Sequence, residues 1–306
     1  RIAASRSASA TDGRLPRLVR TRLQSTSHTG RPFFVTRSEM TDLVARIATW
    51  FGVCRSLIMY WRPGYQRHLC DFYRSMVTPG DLVFDVGAHL GDRAVAFATL
   101  GARVVALEPQ PHIVTWLRRL VRRHDRITIR AEAVGRTPGH ASLALSRRTP
   151  TLSTLATTWR QTLPTVNQSF RHVRWEEHGV VPVVTLDHLI SLYGVPQFCK
   201  IDVEGYEAEV LAGVTQPLPQ VSIEFVQGGL DVALSCLQRL TELGVYEFNA
   251  VSGEERRFLF DGWLTRDRMT AWLQSGASNL SSGDLYARLL STPAHDTQDH
   301  SRISRT

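Results

Sequence analysis

Two stretches of the 306-residue chain concentrate side chains able to do chemistry: Asp85-Val86-Gly87-Ala88-His89-Leu90-Gly91 and Lys200-Ile201-Asp202-Val203-Glu204-Gly205-Tyr206-Glu207. In the first, glycines let the backbone turn sharply against a ligand, and the opening amides of a following helix present hydrogen-bond donors. A dinucleotide turn reads G-x-G-x-x-G, its middle Gly admitting the pyrophosphate. Here His89 holds that middle position, and its side chain stands where phosphate would approach. The pattern D-x-G-x-x-x-G instead suits a ligand with a ribose and an amino-acid end but no phosphate. S-adenosylmethionine fits that description.

Glu108 follows Gly87 by 21 residues and closes the run RVVALE. A carboxylate there can accept both hydroxyls of a ribose diol; it can equally cap the helix that begins near Pro109 and Pro111. Glu132 and Ala133 stand at the end of the next strand, where an adenine amino group would be read, or where Glu132 would simply be solvated. Lys200, Asp202 and Glu204 alternate along one strand and so share a face. Lys200 is the only lysine, against 35 arginines, and an ion pair with Asp202 or Glu204 is the plainer reading. Glu224 lies toward the carboxyl end of the strand VSIEFV (221–226). Asp202 and Glu204 alone are too few hard ligands for a divalent cation, and the four cysteines form no CxxC and no zinc spacing with histidine, so no metal is expected.

These residues need a scaffold that brings strand ends together. Short apolar runs at 81–86, 103–107, 127–133, 198–203, 221–226, 246–251 and 284–290 read as strands. Helical periods at 92–100, 111–121, 208–214 and 232–243 alternate with them; residues 141–145 can pair locally. Continuous apolar strands alternating with helices argue for an α/β, doubly wound, Rossmann-like sheet with helices on both faces, whose ligands sit outside the carboxyl ends of the strands. Four arginines (Arg118, Arg119, Arg122, Arg123) fall on one side of the 111–121 helix and read as its solvated face.

Around this core, residues 40–75 form an N-terminal helical segment, with an apolar stripe of Leu43, Ile47, Trp50, Phe51, Cys54, Leu57 and Ile58. The stripe reads as packing across the edge of the following domain, with a membrane-surface helix as the alternative. The catalytic domain runs over 76–291 and carries a polar insert at 146–180, whose Trp159 and Trp175 suit sugar stacking or plug the loop. Residues 292–306 read as a disordered tail. Residues 1–39 read as a disordered basic arm: mis-started or truncated upstream of Met40, a functional basic arm, or a targeting segment.

The net charge is +8, and residues 1–37 alone contribute +7 of it through eight arginines against Asp12. The remainder is nearly neutral, so a nucleic-acid groove is not expected. No apolar run reaches the roughly 18–20 residues of a membrane span. Unpaired cysteines fit a cytoplasmic, reducing setting.

FDVGAHLG (84–91) and FCKIDVEGYEAEVLAGV (198–214), with VVALEPQP, AEAVG, VTLDHLI, VSIEF and GDLYA in order between 104 and 287, resemble the FkbM-type S-adenosylmethionine-dependent methyltransferases. The resemblance implies a seven-stranded sheet with its last strand antiparallel, and O-methylation of a hydroxyl on a glycan or small molecule such as a sugar or polyketide-like product. It implies that Asp85, Gly87, His89 and Gly91 line the amino-acid end of the cofactor. Glu108 holds the ribose, Glu132 and Ala133 flank the adenine, and Asp202 and Glu204 lie nearest donor and acceptor. A hydroxyl must lose its proton during transfer, and Asp202, Glu204 and Glu224 are the carboxylates placed to take it. Rival readings are a nicotinamide-dependent oxidoreductase, which His89 disfavours, a nucleic-acid methyltransferase, and a non-catalytic cofactor-binding scaffold.

Overall fold

The alternation of apolar strands and amphipathic helices folds as one seven-stranded sheet. The computed structural model describes residues 50–291 apart from 63, 147–152, 158–160, 162–172, 174 and 176. All lie in the larger of the chain's two units, residues 45–306. The proposed arm at 1–39, the tail at 292–306 and Trp159 fall outside the described residues.

The strands are β1 (Leu82–Val86), β2 (Arg103–Leu107), β3 (Ile127–Arg130), β4 (Ala133–Val134), β5 (Gly139–Leu145), β6 (Glu177–Val184), β7 (Phe198–Ile201), β8 (Gln220–Val226), β9 (Val245–Ser252) and β10 (Ser282–Ser291). The main sheet runs in the order β3-β2-β1-β7-β8-β10-β9. β10 is antiparallel to both its neighbours, while β3, β2, β1, β7 and β8 pair in parallel. This is the doubly wound sheet with an inserted antiparallel last strand that the sequence led us to expect.

Helices cover both faces. Residues 50–60 are helical (α1); then come α2 (Tyr65–Tyr73), α3 (Asp92–Thr99), α4 (Pro111–Leu120), α5 (Leu186–Tyr193), α6 (Glu207–Leu211), α7 (Leu230–Leu243) and α8 (Arg266–Gln274). Strand period two sorts the core. Phe84, Val86, Cys199, Ile201, Ile223 and Phe225 pack beneath α5, α6, α7 and α8. Val83, Val104, Phe198 and Tyr286 pack beneath α2, α3 and α4. Each such fully buried side chain stabilises the fold by about 1.5–3 kcal/mol relative to exposure. Arg118, Arg119, Arg122 and Arg123 are exposed, as a solvated helix face requires.

The run 127–133 does not form one strand. β3 pairs with β2 only as far as Arg130↔Leu107. β2 stops there, so the chain has no edge left to follow. Ala133 and Val134 instead pair with β6, which pairs with β5, making a separate three-stranded sheet β4-β6-β5. The last four residues assigned to the polar insert, 177–180, therefore belong to β6. Within the rest of the insert, Thr154 bridges back to Ala144 on β5. Among the described residues no helix is long and apolar enough to cross a membrane.

Candidate active site

The carboxyl ends of β1, β2, β7 and β8 meet at one cleft that is partly open to solvent. Its walls include Gly87, His89, Glu108, Glu132, Ala133, Asp202, Glu204 and Glu224. Ten positions were expected at the site from sequence, and these eight are brought together there. Asp85 lies one step behind the wall, 1% exposed. Gly91 lies beneath the turn: a Cβ there would sit 2.5 Å from Leu117 Cδ1, so its role is the close approach of α3 and α4.

Why the turn after β1 demands glycine is visible at Gly87. Its φ is +82°, and an added Cβ would meet the carbonyl oxygen of Asp202 at 1.8 Å. The backbone of β1 and the loop after β7 thus touch, and Asp202 N donates to Val86 O (3.0 Å). His89 also takes a left-handed φ of 48°, rare outside glycine. Its amide donates to Glu108 Oε2 (3.0 Å), while Gln110 N donates to Glu108 Oε1 (2.8 Å). Both carboxylate oxygens are thereby fixed at the end of β2. Glu132 is held in a bidentate pair with Arg130, one contact at 2.8 Å, so it is a tethered wall residue rather than a solvated strand end.

Register explains the second cluster. Lys200 on β7 is paired to Asp85 on β1 and to Ser222 on β8, and Glu224 on β8 to Asp284 on β10. All point to the α2/α3 face, where the apolar lining gives way to charge near the strand ends. Lys200 is 2% exposed and its Nζ donates to Asp202 Oδ2 at 2.7 Å. Ligand oxygens of Asp202, Glu204 and Glu224 all lie within 4.8 Å of one another. The loop that carries Asp202 and Glu204 is clamped by Glu207, whose Oε1 accepts from Val203 N (3.0 Å) and Gly205 N (3.1 Å). Within it Glu204 takes φ 57°.

Burial and charge set the protonation of these groups. Burial pushes Asp85 up to about 6, with Lys200 opposing, and pushes Glu108 and Glu207 up to about 7 against their backbone hydrogen bonds. Burial lowers His89 to about 4, so its imidazole is neutral at physiological pH. Burial works to raise Asp202 as well, but the Lys200 ammonium wins and holds it below the usual range. Glu204 and Glu224 go the other way: burial first and the Asp202 charge second push both well above the carboxylate range. The trio is thus one fixed anion flanked by two groups that hold their protons. Buried polar atoms without a partner include Asp85 Oδ1, His89 Nε2 and Glu204 Oε2.

Local sequence signals did not reveal several wall residues. Arg93 on α3 donates to Asp92 Oδ2 (2.8 Å) and to both oxygens of Glu254 (3.1 Å). Glu254 in turn pairs with Arg256 and accepts from Tyr65 Oη (2.9 Å). Arg93 also lies over the Tyr60 ring at 5.8 Å. From the insert, Ser153 Oγ donates to Gln110 Oε1 (2.8 Å) and Thr154 Oγ1 to the Glu204 carbonyl (2.6 Å). Trp175 packs with Ala156 against Val226.

Residues 85–265 match the methyltransferase FkbM domain. The chain belongs to the FkbM methyltransferase family. A hexuronic acid methyltransferase, AglP of Haloferax volcanii, is 28% identical over 196 residues, covering 62% of this chain and 74% of that protein. Among solved structures, an S-adenosylmethionine-dependent O-methyltransferase from Thermotoga maritima is 11% identical with a TM-score of 0.38, covering 76% of this chain and 66% of that one. Fibrillarin of Aeropyrum pernix with bound S-adenosyl-L-methionine is 13% identical with a TM-score of 0.36, covering 69% and 68%.

The methyl donor of this FkbM methyltransferase is S-adenosylmethionine, and the site suits it. The wall carries Asp92, Glu108, Glu132, Asp202, Glu204, Glu224 and Glu254 against Lys200 and Arg93. Among the trio Asp202 stays ionised and gives the cavity a fixed negative charge that favours a cationic ligand, and the cradle at Gly87 admits backbone-close contact without a side chain.

Proposed function

We propose that this enzyme O-methylates a hydroxyl of a glycan or other small-molecule acceptor, with Glu204 as the base. The observation that carries the reading is the trio Asp202, Glu204 and Glu224 gathered within 4.8 Å beside Lys200.

When bound, S-adenosylmethionine supplies a methyl already activated on a sulfonium. The work left to the chain is alignment and proton removal. Gly87 and His89 take the amino-acid end, with Asp85 supporting the turn from behind and Gly91 from below. Glu108, its oxygens fixed by two amides, takes the ribose diol, and Glu132 and Ala133 flank the adenine. Asp202, kept ionised by Lys200, faces the positive donor and orients the acceptor. Glu204 has a basicity raised toward that of a group able to take a hydroxyl proton, since the nearest negative charge strengthens it as a base. A cationic donor beside it favours its ionised form. Glu224, kept protonated by burial and by the Asp202 charge, is the third carboxyl of the trio.

The relative from Haloferax volcanii is named for a hexuronic acid acceptor, which makes sugars and sugar acids the first acceptors to screen. The full chain is incubated with methyl-labelled donor and a panel of neutral hexoses and hexuronic acids, and the product is located by NMR. A methyl ether is the expected product. A methyl ester would overturn the hydroxyl assignment, because a carboxylate needs no base. Glu204→Gln is expected to lose turnover by roughly 10²–10⁴-fold while donor affinity, measured by calorimetry, stays within a few-fold. Unchanged turnover would remove Glu204 from the role.

A further inference from the structure

α1 leaves half of itself uncovered. Val53 and Leu57 dock on Leu90, Ile113, Trp116 and Leu120, and Ser56 is buried beside them. On the opposite side Trp50 is 54% exposed, Phe51 61%, Ile58 76% and Met59 43%. At 3.6 residues per turn these four occupy one continuous half of the helix, with Cys54 and Arg55 between them. Of the expected stripe, Leu57 packs across the domain edge and Trp50, Phe51 and Ile58 do not; Val53, outside the stripe, joins Leu57 there, and Leu43 and Ile47 lie outside the described residues. Isolated exposed apolar residues need no explanation, but a continuous face of four large ones marks an interaction surface.

The charge around the face says what covers it. Residues 50–70 contain Arg55, Arg62 and Arg67 and no Asp or Glu, and all three arginines are exposed. Further upstream, residues 1–37 carry a charge of +7, separated from α1 by residues 38–49 with Glu39, Asp42 and Arg46. A second copy of this chain would bring the same arginines face to face across a two-fold axis, a like-charge contact that disfavours self-pairing. The basic stretch has no apolar period to lay on the patch. A helix with large apolar side chains on one side, Arg55 among them, Arg62 and Arg67 just beyond its end and a basic stretch further upstream meets the requirements of an interfacial membrane helix. We propose that the α1 face binds an anionic lipid surface. Trp50, Phe51, Ile58 and Met59 enter the headgroup–acyl boundary, and Arg55, Arg62 and Arg67 lie against the headgroup phosphates.

The test is flotation of the full chain with two vesicle types: phosphatidylcholine alone, and phosphatidylcholine mixed with phosphatidylglycerol. Flotation with the anionic vesicles only is expected. The double variant Phe51→Ser, Ile58→Ser is expected to lower the bound fraction at least about tenfold, from the transfer energy of two large apolar side chains. Its thermal midpoint and its calorimetric affinity for S-adenosylmethionine are expected to stay at wild-type values, because neither residue touches the core or the cavity wall. Absence of flotation with anionic vesicles would overturn the proposal, as would undiminished flotation of the double variant. A concentration-dependent dimer dissolved by the same substitutions would assign the face to a second copy instead.

Discussion

Thr154 Oγ1 donates a 2.6 Å hydrogen bond to the carbonyl of Glu204, fifty residues away along the chain. Thr154 is 2% exposed and also accepts from Ala156 N at 2.9 Å. The insert thereby anchors the left-handed residue that carries the proposed base. Thr154→Val leaves a buried carbonyl without its donor, at about 1–3 kcal/mol, and frees the Glu204 backbone to relax. The expected result is a turnover about tenfold lower or worse, with KM for S-adenosylmethionine nearly unchanged and activity largely retained in Thr154→Ser. Equal loss in the valine and serine variants would show that the hydroxyl is not what matters.

Lys200 and Asp202 form a pair with the ammonium sealed from water and the carboxylate side chain 26% exposed toward the cavity. Removing one partner of such a pair leaves an uncompensated charge. Lys200→Met is expected to cost about 3 kcal/mol of unfolding free energy, the lower part of the range for buried pairs because Asp202 keeps some solvent. Denaturant melts of Lys200→Met, Asp202→Asn and the double variant form a cycle. The double variant should be more stable than the sum of the singles predicts. Simple additivity would mean the pair is energetically silent.

Glu108 gives a pH signature whose sign follows from burial. Its carboxyl titrates at about 7 in the folded protein against an ordinary 4.5, so the folded state keeps this proton through a window in which the unfolded chain has lost it. The stability it contributes is fully present below pH 4.5 and is lost as pH rises through 7, by about 3 kcal/mol in total. Glu108→Gln cannot titrate. The difference in thermal midpoint, variant minus wild type, is therefore expected to climb between pH 4.5 and 7 and then level off. A difference flat across that window would contradict the burial argument. The same variant is expected to bind S-adenosylmethionine at least about tenfold more weakly, from losing charged acceptors for the ribose diol.

Gly87 and Gly80 separate steric contact from backbone preference. Both have positive φ, but an added Cβ meets the Asp202 carbonyl oxygen at 1.8 Å at Gly87 and nothing within 4 Å at Gly80. Gly80→Ala is expected to cost about 1–2 kcal/mol from the left-handed backbone alone. Gly87→Ala must in addition push β1 and the loop after β7 apart. It is expected to lower the thermal midpoint further and to abolish donor binding in calorimetry. Equal behaviour of the two variants would mean that the loop after β7 yields without cost.

The sequence by itself determined whatever depends on neighbours along the chain. Apolar period and length located the strands and helices, because side-chain direction repeats every two or 3.6 residues. Glycine spacing located the turn at Asp85–Gly91, because positive φ is a property of single residues. Alternation in Lys200, Asp202 and Glu204 pointed to a shared face, but β7 ends at Ile201, and it is the loop after it, with Glu204 in the left-handed region, that brings the two carboxylates to the site. Tertiary structure alone decided what meets across the fold. It set Glu224 beside Asp202 and Glu204 through the register of β7 with β8. It tied Thr154 to Glu204 and Arg93 to Glu254, and turned Gly91 from a wall residue into a packing one. It also sent Ala133 to a second sheet, since β2 ends one residue before Glu108. These contacts join residues up to 161 positions apart. Strand order, register and helix packing fix such distances, and none of those leaves a periodic trace in the chain.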